Sequence, residues 1–313
     1  MTVSTECIVA AFISTGLISL VPNVLLFLFP QVANRSAEKS YAILSFGQAL
    51  AAGGLLGDVF LHTMPHAFAD AAQHGDDAEM DWLAIVLLGG FVTFYIVDVL
   101  VRLSGAAQSH SHSHGESNGD LHKSKSSGTG LSSAVILNLA ADSLHNFTDG
   151  LAIGASYASA ANHFATYTEG SSFISRALSL VYSRSGLVSV SVLFHEIPHE
   201  IGDFSVLVSH GFTKLQAINL QFLTAVAALC GTAVGIASVN YEGDKWMMPF
   251  TAGGFVYVAA VTILPELLQE TKGGAKVHFL QVVFFVLGVA FMQGVALLEH
   301  HEHHHHQVMH DEH

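Results

Sequence analysis

The sequence predicts an all-α polytopic membrane protein: eight transmembrane helices arranged as an inverted-repeat bundle. Three observations carry that prediction. Of 313 residues, 51% are hydrophobic and only 12% charged, against about 25% charged in a soluble domain. Apolar runs near the length a bilayer demands, about 20 residues, recur at 7–30, 41–69, 82–104, 131–159, 187–209, 214–238, 246–269 and 277–299. Two of them share an internal echo. Ala52-Gly53-Gly54 precedes Pro65-His66 by the interval at which Ala252-Gly253-Gly254 precedes Pro265-Glu266, at an offset of 200 residues. In an eight-span chain these two helices run in opposite directions, as in the inverted-topology repeats of many transporters.

Taken in order, the first run lacks a basic leader and is longer than a signal-peptide core, so it reads as a retained helix. The second carries Asp58, His62, His66 and Asp70, each four residues apart, a stripe drifting slowly around the helix. It ends at an acidic loop with Asp76, Asp77, Glu79 and Asp81. An electronegative mouth concentrates cations, which makes His66 and Asp70 candidates for the point of arrival of an ion. On the third span Asp98 is placed to pair with Arg102 one turn on, a structural role. Residues 1–104 thus form helices 1–3. Residues 105–130 are Ser/Gly-rich, with HSHSH at 110–114 and His122, and read as a disordered cytoplasmic loop. Residues 131–299 hold helices 4–8, with a Ser/Thr/Tyr-rich connection at 160–186 on the opposite side of the membrane. Gly53/Gly57, Gly150/Gly154 and Gly231/Gly235 have the four-residue spacing that lets helices approach closely. The tail, 300–313, reads HHEHHHHQVMHDEH with the last Glu of span 8 just before it. Glu302, Asp311 and Glu312 interrupt its histidines, which favours a native metal-collecting tail over a purification tag.

A formal charge of −14 argues against a nucleic-acid partner. The distribution of basic residues sets the orientation. With the N-terminus outside, the cytoplasmic loops hold Arg35, Lys39, Arg102, Lys123, Lys125, Lys214, Lys272 and Lys276, and the other side holds Arg176, Arg184 and Lys245. That asymmetry follows the positive-inside rule, so both termini are expected outside or in an organelle lumen. Cys7 and Cys230 both fall in predicted spans. They make neither a disulfide framework nor a cysteine metal site, and are expected to be small buried residues.

The chemistry sits on the fourth and fifth spans. HNFTDG at 145–150 and HEIPHEIGD at 195–203 place ionisable groups within membrane-span composition, where they are costly and mark a partner or a path. Asn138, Asp142, His145 and Asp149 step by four, three and four residues, one polar stripe; His195, His199 and Asp203 make another. His145, Asp149, His195 and His199 together offer mixed nitrogen and oxygen ligation suited to a divalent transition metal. Asn146 and Glu196, one residue along, face a neighbouring sector and could build a second site with Asp149 and His199 as bridges. Asp142, Asp203, Glu266 and Glu270 lie toward the cytoplasmic ends and could line an exit. Pro198 frees the carbonyl of Phe194 and is expected to bend the helix beside the ligands.

Together the two motifs resemble the ZIP (Zrt/Irt-like protein) metal transporters, specifically the branch marked by an HExPHExGD fifth helix. The resemblance covers nearly the whole chain. It implies influx of a zinc-type divalent cation toward the cytosol, a binuclear centre between spans 4 and 5, a homodimer in membrane lipid, and an elevator-like slide of spans 4 and 5. The implied first site is His145, Asp149, His195 and His199; the second is Asn146, Asp149, Glu196 and His199, with Gln221 of span 6 as a further candidate. Only a few residues precede span 1, where many members of the branch have a large domain. On that ground the chain resembles the endoplasmic reticulum and Golgi members. The ligand types suit Zn2+ and also Fe2+, Mn2+ and Cd2+.

Two other functions compete. H-E-x-x-H is the signature of zinc metalloproteases, so an intramembrane protease is the alternative. Yet a proline interrupts the motif, and the matching cluster lies upstream on another span instead of supplying one downstream ligand. A metal sensor that moves nothing is the third reading. Metal uptake into vesicles separates transport from both.

Overall fold

The structure is a computed structural model and describes residues 3–28, 37–65, 67–69, 77–103, 132–167, 184–237, 244–269 and 274–310. Among the described residues every regular element is helical. The helices are α1 (Thr5–Leu28), α2 (Ala37–Gly57), α3 (Asp77–Leu103), α4 (Ser133–Tyr167), α5 (Arg184–Ser209), α6 (Lys214–Ala237), α7 (Asp244–Tyr257) and α8 (Gly274–His310). α2 and α7 each run into a π-helical segment, Asp58–Thr63 and Val258–Ile263, and α7 then resumes as Leu264–Gln269. Among the described residues six helices are long and apolar enough to cross a bilayer. The two that fall short by composition are α4 and α5, whose hydropathy is lowered by the polar motifs they carry.

Local chemistry sets the helix ends. Ser4 and Ser132 accept from the backbone N–H groups of Cys7 and Val135, as N-caps do. Thr213 and Gln216 form a reciprocal capping box at the start of α6. The α5–α6 turn closes at Gly211, whose φ of 95° is left-handed backbone that a glycine adopts without a Cβ clash. Lys214 donates to the carbonyl of Phe27, satisfying an orphan acceptor at the end of α1.

The 200-residue echo is present in three dimensions. Both π-helical segments sit at equivalent places in the two halves. α2 packs on α8, and α7 packs on α3. A Cβ on Gly53 would overlap the carbonyl of Phe285, and one on Gly288 that of Leu50. In the other half a Cβ on Gly253 would overlap the carbonyl of Leu87, and one on Gly90 that of Phe250. The same backbone-to-backbone contact is therefore made twice, once per repeat. α4 and α6 approach in the same way through Gly150, Gly154, Gly231 and Gly235, as their spacing predicts.

Contacts sort the helices into two groups. α1, α4, α5 and α6 pack together; α2, α3, α7 and α8 form the other set; α2 against α5 is the main seam. Outward faces are apolar, with Trp82, Ile85, Leu88, Ile96 and Leu100 of α3 exposed, a surface suited to lipid and not to water. Cys7 is buried, but Cys230 is exposed on α6. The expectation of two buried cysteines thus fails for Cys230, because helix rotation puts it on the outward face. The backbone of α8 continues to His310, so the predicted tail begins as a helical extension. α5 runs through Pro198 as one helix, and the proline ring packs against Gly54 of α2.

Candidate metal centre

α4 and α5 bring their polar stripes face to face. One ligand atom each from His145, Asp149, His195 and Glu196 lies within 4.8 Å of all the others, and all four residues are buried. Asp149 is the hub: its Oδ2 lies 2.9 Å from Nε2 of His195 and 3.6 Å from Nε2 of His145. Oε1 of Glu196 approaches the same His145 nitrogen at 3.3 Å. That approach is not a hydrogen bond, and both atoms are buried without a hydrogen-bond partner, as are Nδ1 of His195 and Nε2 of His199. Leaving such an atom unsatisfied costs about 1–3 kcal/mol. Several converging lone pairs of nitrogen and carboxylate oxygen are the donor set a divalent cation would satisfy.

His199 stands on the same wall. Its ring centroid is 4.9 Å from that of His145 and 6.0 Å from that of His195. Phe255 of α7 closes the site from the other side, 4.8 Å from the His145 ring and 5.3 Å from that of His199. An apolar wall there limits water and lowers the local dielectric, which strengthens charge–dipole contacts within.

A family model described as ZIP Zinc transporter matches residues 5–168 and 182–296. The chain belongs to the ZIP zinc transporter family. It is 35% identical to Zinc transporter SLC39A7 of Rattus norvegicus, over 91% of this chain and 71% of that protein. It is similar to Zinc transporter zipt-7.1 of Caenorhabditis briggsae at 35% identity, covering 90% and 77%. Zinc transporter YKE4 of Saccharomyces cerevisiae is 31% identical, covering 93% and 80%. The family and these relatives are described as zinc transporters, and they indicate no catalytic function for the H-E-x-x-H signature.

Other residues singled out from the sequence divide into those the ZIP fold gathers and those it does not. The nearest four groups include Glu196, where the sequence placed His199. The amide nitrogen of Asn146 donates to the Asp142 carboxylate at 2.6 Å and to the Asp142 carbonyl at 3.1 Å. Gln221 donates to the backbone carbonyl of Glu200 at 2.7 Å, while its own Oε1 is buried without a partner. Asp58 and His62 lie within the first π-helical segment, not on a regular α-helical stripe. Nδ1 of His62 is 3.0 Å from Asp58, and its ring centroid is 5.9 Å from that of His195. They therefore border the centre. Asn138, Asp142 and Asp203 line a cavity with His145 and His199, walled by Leu55, Phe255 and Val258. Glu266 is met by the amide of Gln48 at 3.5 Å. His66, Asp70, Asp76 and Glu270, the HSHSH loop and the greater part of 160–186 lie outside the described residues, whereas Asp77, Glu79 and Asp81, expected in an acidic loop, stand in the first turns of α3.

The sequence reading missed Leu55 and Phe255. They occupy equivalent places in the Ala-Gly-Gly echo, and both line the cavity. The echo was the available signal: the residue after each Gly-Gly pair points where the two repeats meet. Asp98 pairs with Arg102 as predicted, at 2.8 and 3.1 Å. It also accepts from the hydroxyl of Tyr257 at 2.8 Å, which ties α3 to α7.

Proposed function

We propose that the chain carries zinc from an organelle lumen or the cell exterior into the cytosol through a metal centre between α4 and α5. The observation that carries this reading is the buried quartet of His145, Asp149, His195 and Glu196 in a ZIP chain. Zinc is the substrate, and the protein supplies mixed nitrogen and oxygen ligands at the depth where the two repeats cross. Asp58 and His62 receive the ion on the outer side, with His66 and Asp70 beyond them. Asp142, Asp203 and Glu266 lie on the way out. Asn146 and Gln221 are the candidates for a second ion: each spends its amide nitrogen as a donor, to Asp142 and to the Glu200 carbonyl, and the Oε1 of Gln221 stays without a partner.

Resemblance to the branch supports an endoplasmic reticulum or Golgi membrane and a homodimer surrounded by lipid. Purified protein reconstituted in vesicles tests the central reading. Zinc uptake by the wild-type chain, competed by Fe2+, Mn2+ or Cd2+ in measurable order, is expected. Metal binding without uptake would mean a sensor. Cleavage of a membrane substrate lost in Glu196→Gln would restore the protease.

A further inference from the structure

Beyond the histidine centre, α4 and α5 bury a further group of carboxylates. Asp142 is 5% exposed, Asp203 8% and Glu200 1%. Among the described residues no Lys or Arg pairs with any of them; the Arg102 pair lies on α3. Carboxylates buried together are held apart by repulsion and desolvation unless a counter-charge lies between them. The cavity that meets His145 and His199 at one end is lined farther on by Asn138, Asp142 and Asp203. Two polar atoms there are buried and unpartnered, Oδ2 of Asp142 and Nδ2 of Asn138. The other oxygen of Asp142 is already used, by Asn146, so Oδ2 is the one free for a ligand.

We propose that Asn138, Asp142 and Asp203 form a further cation station, built of oxygen donors alone, one step toward the cytosol from the histidine centre. The inference rests on the transport reading and adds a site to it. Its chemistry differs from that of the centre above. Two carboxylates and an amide oxygen form a hard donor set that suits Mn2+ as readily as Zn2+. A zinc ion passing from imidazole to oxygen ligands is held less tightly at each step. A graded path of that kind lets the ion leave without a single deep trap. The amide of Asn138 rotates its carbonyl toward the ion, and its Nδ2 has no bond to lose.

Binding of Mn2+ to the full chain, counted by electron paramagnetic resonance in detergent, tests the station without relying on transport. In a His145→Ala/His199→Ala background, which removes imidazole donors, the station is expected to keep one Mn2+. Adding Asp142→Asn and Asp203→Asn is expected to abolish it. Because multiple changes can unfold the chain, Asp203→Asn alone is measured in the otherwise wild-type protein, where it is expected to lower the Mn2+ count by one. Unchanged Mn2+ counts in both comparisons would overturn the proposal and leave the cavity as a water-filled vestibule. A wild-type chain that shows this Mn2+ pattern but takes up no zinc would overturn the transport reading and leave the station standing.

Discussion

Asp149→Ala isolates the hub of the centre with a small change in volume. Apparent binding free energies of four-ligand zinc sites run to about 10–16 kcal/mol. Shared over the four groups that converge here, one ligand is worth ~2.5–4 kcal/mol, or about two to three decades of affinity. Thermal unfolding reads that loss directly. At zinc concentrations about a hundredfold above the wild-type Kd, binding adds about 2.7 kcal/mol of stability. With affinity reduced by two to three decades, the same concentration adds less than about half a kcal/mol to Asp149→Ala. The metal-free variant should melt close to the wild type. Removing the carboxylate leaves Nε2 of His195 without its 2.9 Å partner, but it also removes a buried charge, so the two effects offset. Zinc-induced stabilisation equal to that of the wild type would refute the placement of Asp149 at the centre of the ligand set.

Other outcomes follow from the packing. Gly253→Leu forces a side chain into the carbonyl of Leu87 and should destabilise the chain by at least ~1–3 kcal/mol, seen as a lower melting temperature and yield; a neutral effect would mean α3 and α7 do not touch there. Tyr257→Phe removes a hydrogen bond to a charged acceptor, Asp98, and should cost about 1.5–3 kcal/mol while zinc affinity stays unchanged; a loss of zinc binding instead would give that pair a direct role at the site. Gly47→Cys with Ser205→Cys places two thiols across the α2–α5 seam, where a Cβ on Gly47 meets the Ser205 side chain. Their crosslink should stop zinc uptake and reduction should restore it. Full flux with the crosslink intact would exclude a slide of α5 along α2 and favour rocking about a fixed site.

The two motifs were legible because ligands four residues apart share a helix face whatever the rest of the chain does. For the same reason His145 with Asp149 and His195 with His199 were readable as pairs. The Ala-Gly-Gly echo was readable because a repeated close contact needs a repeated small residue. Even the Asp98–Arg102 pair is a property of one helix. These features are one-dimensional patterns, and the sequence by itself determined them, together with the membrane class, which follows from apolar runs with few charges.

How those faces meet was decided only by tertiary structure. Whether Glu196 or His199 joins the nearest ligand group depends on the rotation of α5 against α4, and glycine contacts with neighbouring backbones set that rotation. The amide nitrogen of Asn146 is taken by Asp142, one turn back on the same helix. Cys230 looks like a core residue by type, yet its helix face points outward. The π-helical segments carry no composition of their own: DVFLHT and VAAVTI share little but position. They follow the Gly-Gly contacts at the same interval in both repeats. A sequence names the groups that can bind an ion; the packing of backbone on backbone chooses which of their atoms converge.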